Sequence, residues 1–172
     1  MSTAIASPAA ASLGDATRER FAREVAKYPA DQTQSAVMAC LSIVQQEQGW
    51  VSPASEKAVA DYLGMPVMAV HEVTTFYSMY NQKPVGRFKL NVCTNAPCMF
   101  AGGPEALRHL CGKLGVEPYG TTADGQFTVQ PSECLGACGD APVMLVNDRH
   151  MCSFMSNDKL DQLVDGLRQA ED

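Results

Sequence analysis

"NQKPVGRFKLNVCTNAPC", residues 81–98, is where the chain changes its pattern. The turn-forming run at residues 81–86 closes a helical region. "RFKLNV" then alternates, with Phe88, Leu90 and Val92 on one face, which is the signature of a β-strand. The strand runs directly into Cys93 and Cys98, a C-x4-C pair at its end. The stretch therefore marks both a domain boundary and half of a chemical site.

Upstream, residues 15–82 read as a helical domain. Asp15 is placed to cap a helix containing Phe21 and Val25 that Pro29 ends. "QSAVMACLSIVQQEQG" (34–49) carries Val37, Cys40, Leu41 and Val44 at helical spacing and stops at Gly49. Ser52 and Pro53 fit the cap and first turn of a third helix that closes at Gly64, and Pro66 opens a fourth. Residues 1–14 read as a mobile, disordered tail.

Downstream, "GGPEALRHLCGKLG" (102–115) sets Leu107, Leu110, Cys111 and Leu114 along one helical stripe. Asp124-Gly125 and Asn147-Asp148 sit between short strand patterns and signal two hairpins. "NDKLDQLVDGLRQ" (157–169) closes the chain as an amphipathic helix. Strand, helix, two hairpins and helix in that order predict a small α/β sandwich with a mixed sheet over residues 87–172. The whole is expected to be α+β, with an N-terminal helical bundle preceding the sheet domain.

Composition narrows the function classes. The chain of 172 residues is 46% hydrophobic and 19% charged, and no stretch approaches the roughly 18 to 20 apolar residues that span a bilayer. No direct membrane insertion is expected. The N-terminus has no Lys or Arg before Arg18 and contains Pro8, which predicts neither a secretory signal nor an Arg-rich transit peptide. The net charge of -6 argues against nucleic acid as a partner. Seven cysteines, an odd number, in a chain expected in a reducing cytoplasm point to metal ligands or redox thiols rather than a disulfide framework.

The second cysteine pair lies in "ECLGACGDAP" (133–142), where Cys134 and Cys138 have C-x3-C spacing after another strand pattern. Loops at one edge of a sheet can converge, so the two pairs can build one four-thiolate site. Structural zinc favours C-x2-C knuckles, a Rieske centre needs histidines, and a thioredoxin-type thiol pair needs C-x2-C before a helix. The wider spacings here suit the broader body of a [2Fe-2S] rhomb. Such a group carries a formal charge of about -2 and needs amide donors around it, which Gly136 and Gly139 can admit. Cys40, Cys111 and Cys152 read as core thiols. His71, His109 and His150 read as ordinary surface or interface residues.

"CTNAPC" and "ECLGACGDAP", with "HEVTTFYSMY" (71–80) before them, closely resemble the family of 24-kilodalton [2Fe-2S] subunits of bacterial respiratory complex I. The resemblance spans roughly residues 16–170. It implies a thioredoxin-like ferredoxin domain over residues 87–172 and one [2Fe-2S] cluster per chain, with Cys93, Cys98, Cys134 and Cys138 as ligands. It also implies a partner flavoprotein subunit that binds FMN and NADH and carries a [4Fe-4S] cluster. FMN and NADH would be reached only through that partner, within the peripheral arm of a NADH:quinone oxidoreductase on the cytoplasmic side of the inner membrane. Equivalent subunits of NAD-linked formate dehydrogenases and bidirectional hydrogenases share the cysteine motif. "TTFYSMYNQKPVGRFKLNVCTNAPCM" (74–99) and "HMCSFMSNDKLDQLVDGL" (150–167) look most like the complex I version. Ala96 departs from the larger apolar residue of the family pattern, and the thioredoxin-like fold suggests a cis Pro142.

Two rival readings are weaker. The helices flanking Gly64 could form a helix-turn-helix, yet residues 66–80 hold no Lys or Arg for phosphates. A structural zinc module would be colourless. Phe76, Tyr77, Met79 and Tyr80 are partly core by default, and the excess suggests partner docking. No glycine-rich nucleotide loop or catalytic triad is present, so the chain alone is expected to be inert toward NADH.

Overall fold

The computed structural model describes residues 13–170. The chain divides into two compact units, Met1–Pro84 and Val85–Asp172. Most of the expected tail, residues 1–12, lies outside the described residues.

The first unit contains α1 (Asp15–Val25), a short 3-10 turn (Thr33–Ala36), α2 (Val37–Gln48), α3 (Pro53–Leu63) and α4 (Val67–Phe76). Among its described residues no strand occurs. The helix limits follow local chemistry. Gly49 and Gly64 end α2 and α3 at φ of 79° and 64°, a conformation costly for other residues. The Ser52 hydroxyl accepts the Ser55 amide at 3.1 Å, with Pro53 at the first helical position. The expectation for Asp15 needs correction. Gly14 takes the extended cap conformation, and Asp15 is the first helical residue with no capping bond, its charge instead facing the positive helix end.

Phe21, Leu41, Val44, Val51, Val59 and Val70 build the core of this unit, with Tyr62 edge-on to Phe21 at 5.1 Å. Glu56 is buried among them at 6% exposure. It accepts the Thr74 hydroxyl and faces His71 Nδ1 at 3.1 Å, joining α3 to α4. His71 lies at the surface, its side chain 45% exposed, and from there partners a buried carboxylate. Tyr80 is buried, its hydroxyl donating to the Met38 carbonyl at 2.9 Å, whereas Phe76 is 80% exposed.

Cys40 is fully buried. Burial first, and the charge of Glu24 second, push its thiol from 9.0 up to about 12. The folded chain therefore keeps a proton that the unfolded chain releases. Stability from the neutral thiol is complete below pH 9.0 and is lost as the pH rises toward about 12. Two outcomes are expected. Cys40 should react with thiol reagents only at the rate at which its unit unfolds, and Cys40→Ala should flatten the alkaline loss of stability read by urea unfolding at stepped pH.

The second unit runs β1 (Phe88–Cys93), α5 (Ala96–Phe100), α6 (Gly103–Leu114), β2 (Gly120–Thr121), β3 (Phe127–Ser132), a 3-10 turn (Cys138–Asp140), β4 (Met144–Val146), β5 (His150–Cys152) and α7 (Asn157–Gln169). The five strands lie in the order β2-β3-β1-β4-β5. β1 and β3 are parallel, and the remaining pairings are antiparallel, so the sheet is mixed as expected. Both hairpins form. Asn147 and Asp148 adopt φ of 51° and 55°, the left-handed pair that a two-residue hairpin demands.

Leu90, Val92, Phe127, Val129 and Met144 from the strands share one core with Leu110 of α6 and Leu160 and Val164 of α7. Cys111 and Cys152 pack against it, half-buried. The alternation of β1 suggests a half-solvated strand, yet Lys89 and Asn91 are buried too. Lys89 Nζ lies 2.6 Å from Asp148 Oδ2, and Asn91 Nδ2 donates to Asp148 Oδ1 at 2.7 Å, so neither polar end is buried uncompensated. His109 Nε2 stands 2.8 Å from Asp161 Oδ1, tying α6 to α7. That contact first, and Lys113 second, hold the Asp161 carboxyl below the usual carboxylate range.

Candidate metal centre

The parallel pairing of β1 with β3 brings the two cysteine pairs together. Cys93 is the last residue of β1, and its register partner is Ser132, the last residue of β3 and two positions before Cys134. Parallel strands end at one edge of a sheet, so both cysteine loops leave from the same edge. The Thr94 amide donates to the Ser132 carbonyl at 3.1 Å, and the Cys93 amide to the Val143 carbonyl at 3.1 Å. Ala141-Pro142, just before Val143, is cis, as the fold expectation suggested.

Cys98 rides on α5, a helix of five residues where the sequence reading has only a loop. So short a helix shows no periodicity. The signal for it was local: Asn95 caps the helix by accepting the Ala96 amide at 2.8 Å, and Pro97 sits in its first turn. Asn95 also donates from Nδ2 to Glu133 Oε2 at 2.6 Å, linking the first cysteine loop to the residue preceding Cys134. Sequence reasoning passed over both residues.

The two halves of the site differ in exposure. Cys93 and Cys98 are buried at 2% and 1% exposure around Val143, with Leu135, Ala137 and Ala141 packed against them. Cys134 and Cys138 are exposed, their sulfurs 3.6 Å apart. Gly136 turns the loop between them at φ 79° and donates its amide to Cys134 Sγ at 3.4 Å, the close backbone approach expected of this glycine.

All four sulfurs share one electrostatic neighbourhood. Burial pushes the Cys98 thiol up, with further upward pressure from Cys93 and Cys138. The contact with Cys134 pushes Cys138 up, and Cys93 adds to it. Each ionised sulfur makes the next harder to ionise. A bound cation reverses that logic by holding several thiolates at once.

Two thiolates about 2.3 Å from one tetrahedral metal stand about 3.8 Å apart. The observed 3.6 Å between Cys134 and Cys138 matches. Among the described residues, no three His, Cys, Asp or Glu side chains already converge on a single point. The four cysteines form two soft-sulfur pairs, one buried and one exposed.

A family model for thioredoxin-like [2Fe-2S] ferredoxins matches residues 21–168. The chain belongs to that family. This ferredoxin is 40% identical over 143 residues to NADH-quinone oxidoreductase subunit 2 of Thermus thermophilus, covering 83% of the chain and 79% of the relative. It is also 40% identical over 154 residues to a NADH-quinone oxidoreductase subunit of Rhizobium meliloti, covering 90% of each. A chain of an NAD+-reducing [NiFe]-hydrogenase has a TM-score of 0.65 at 21% identity. The match covers 76% of the ferredoxin but only 22% of the hydrogenase chain, and it shows a shared fold. Among the described residues no helix of this ferredoxin is long and apolar enough to cross a membrane.

Proposed function

We propose that this ferredoxin is the electron-transfer subunit of a NADH:quinone oxidoreductase, with one [2Fe-2S] cluster held by Cys93, Cys98, Cys134 and Cys138. The observation that carries the reading is the meeting of a buried and an exposed cysteine pair at the shared end of two parallel strands. Relatives matched over most of both chains are named as subunits of that oxidoreductase. The hydrogenase match, at 21% identity, gives no comparable support to the alternative assembly.

Bound there, the cluster supplies a one-electron acceptor. The protein's own residues do the rest. Cys93 and Cys98, under Val143, keep one side of the site dry, while Cys134 and Cys138 bring the other side to the surface. The Gly136 amide offers a hydrogen bond to a ligand sulfur, which stabilises negative charge on it. The partner is a flavoprotein subunit with FMN, an NADH site and a [4Fe-4S] cluster, in the peripheral arm of a membrane-bound complex on its cytoplasmic side. The helical region 15–82 and the ferredoxin region 87–172 serve as two domains of the subunit.

The reading predicts co-purification with an FMN-binding subunit at constant stoichiometry, and no NADH oxidation by the isolated chain. Robust NADH oxidation by the flavin-free chain would overturn it.

A further inference from the structure

The unequal exposure of the two cysteine pairs has a redox consequence before any iron is bound. We propose that, in the cluster-free chain, Cys134 and Cys138 form a reversible internal disulfide on meeting a small-molecule disulfide such as oxidised glutathione. The disulfide closes the site to iron, a consequence that rests on the proposed ligand set.

Geometry favours this pair. A disulfide bond is about 2.05 Å long, so sulfurs at 3.6 Å need to approach by only about 1.5 Å. The loop between them is Leu135, Gly136 and Ala137, with no proline or ring to stiffen it. Around Gly136, the pivot of that loop, no heavy atom beyond its chain neighbours lies within 4 Å of where a side chain would begin. The loop is thus open at its pivot, while Leu135 and Ala137 on either side keep their packing against Cys93, Cys98 and Val143.

Access separates this pair from the other. Thiol–disulfide exchange needs the attacking sulfur to reach an incoming disulfide from solvent. Cys134 and Cys138 are exposed, whereas Cys93 and Cys98 are covered and Cys40 is fully buried. Cys111 and Cys152 are half-buried against the apolar core.

The exchange balances in two steps. One cysteine, as its thiolate, attacks a glutathione sulfur; the glutathione disulfide bond breaks and one glutathione leaves, taking up a proton. The second cysteine then attacks the protein sulfur of the mixed disulfide and expels the other glutathione. The chain loses two electrons and two protons, and one glutathione disulfide becomes two glutathiones. Two of the four thiolates are then unavailable to iron until a thiol reductant restores them.

Trypsin separates the pairs, because residues 114–149 contain only Cys134 and Cys138, and residues 90–108 contain only Cys93 and Cys98. The cluster-free full chain is incubated with oxidised glutathione, alkylated, digested and weighed. The expected result is a 114–149 peptide lighter by two hydrogens and free of glutathione, beside a 90–108 peptide that alkylates as two free thiols once the chain is opened. Cys138→Ser should instead retain glutathione on Cys134. The oxidised chain should load iron and sulfide at least about tenfold more slowly than the reduced chain, and dithiothreitol should restore the rate. A stable glutathione adduct on the unaltered chain would overturn the proposal. So would oxidation within 90–108, a cross-link between the two peptides, or no oxidation. A reduced chain that never takes up iron would count against the proposed function instead, because the peptide masses report the disulfide independently of the metal.

Discussion

Serine in place of Cys93, Cys98, Cys134 or Cys138 is expected to weaken or abolish the [2Fe-2S] signal of the ferredoxin. A neutral hydroxyl or hard alkoxide then replaces a soft thiolate that iron prefers. The buried pair should suffer more. At Cys93 and Cys98 a hydroxyl would also lie in an apolar pocket beside Val143, so folding weakens as well as ligation. Cys134→Ser and Cys138→Ser, in an exposed loop, should leave the thermal unfolding of the cluster-free chain nearly unchanged. Cys40→Ala, Cys111→Ala and Cys152→Ala remove a small packed group, at a cost on the order of 1 kcal/mol, and keep the iron signal. Iron and acid-labile sulfide assays, with electron paramagnetic resonance of the dithionite-reduced protein, separate the two groups. Loss of the cluster in Cys111→Ala with an unaltered signal in Cys134→Ser would refute the assignment.

Gly103→Ala is the substitution expected to do most damage without touching a ligand side chain. A Cβ at Gly103 would sit 2.4 Å from the Cys93 carbonyl oxygen and 2.9 Å from the Cys98 carbonyl oxygen. Both obstacles are backbone, and both belong to proposed ligands. No rotamer change relieves the overlap, so the start of α6 must move away from the first cysteine loop. Overpacking of this kind costs about 1 to 3 kcal/mol. The expected result is a lowered urea midpoint together with slower or incomplete cluster loading. Gly112→Ala is the matched control in the same helix, exposed and with no heavy atom of a neighbour within 4 Å of its new Cβ. It should raise stability by about 0.5 to 1 kcal/mol, because alanine restricts the unfolded chain and favours the helix. Equal and small effects at both glycines would show that the close approach at Gly103 is dispensable.

The long helices α1 to α4, α6 and α7 and both hairpins were legible in the sequence because each is written in neighbouring residues. Ser52 with Pro53 starts a helix by its own hydroxyl and ring, and Gly64 stops it with its own backbone. Asn147 and Asp148, set between two short strand patterns, tolerate the left-handed conformation that a tight hairpin needs. Cysteine spacing likewise distinguishes a wide cluster loop from a zinc knuckle without knowledge of the fold.

Tertiary structure alone decided what depends on partners far along the chain. The register of Cys93 against Ser132 sets both loops at one edge, and it follows from packing a whole parallel strand pair. Lys89 reads as a solvent-facing strand residue until Asp148, brought in by the second hairpin, lies 2.6 Å from its ammonium group. The need for glycine at position 103 shows only in the fold, where the Cys93 carbonyl occupies the space its side chain would take. Exposure is the sharpest case. Nothing in "CTNAPC" or "ECLGAC" says which pair is buried, because burial is supplied by Val143 and the chain around it. Local conformational preference is encoded residue by residue, whereas solvent access and close approach belong to the folded chain as a whole.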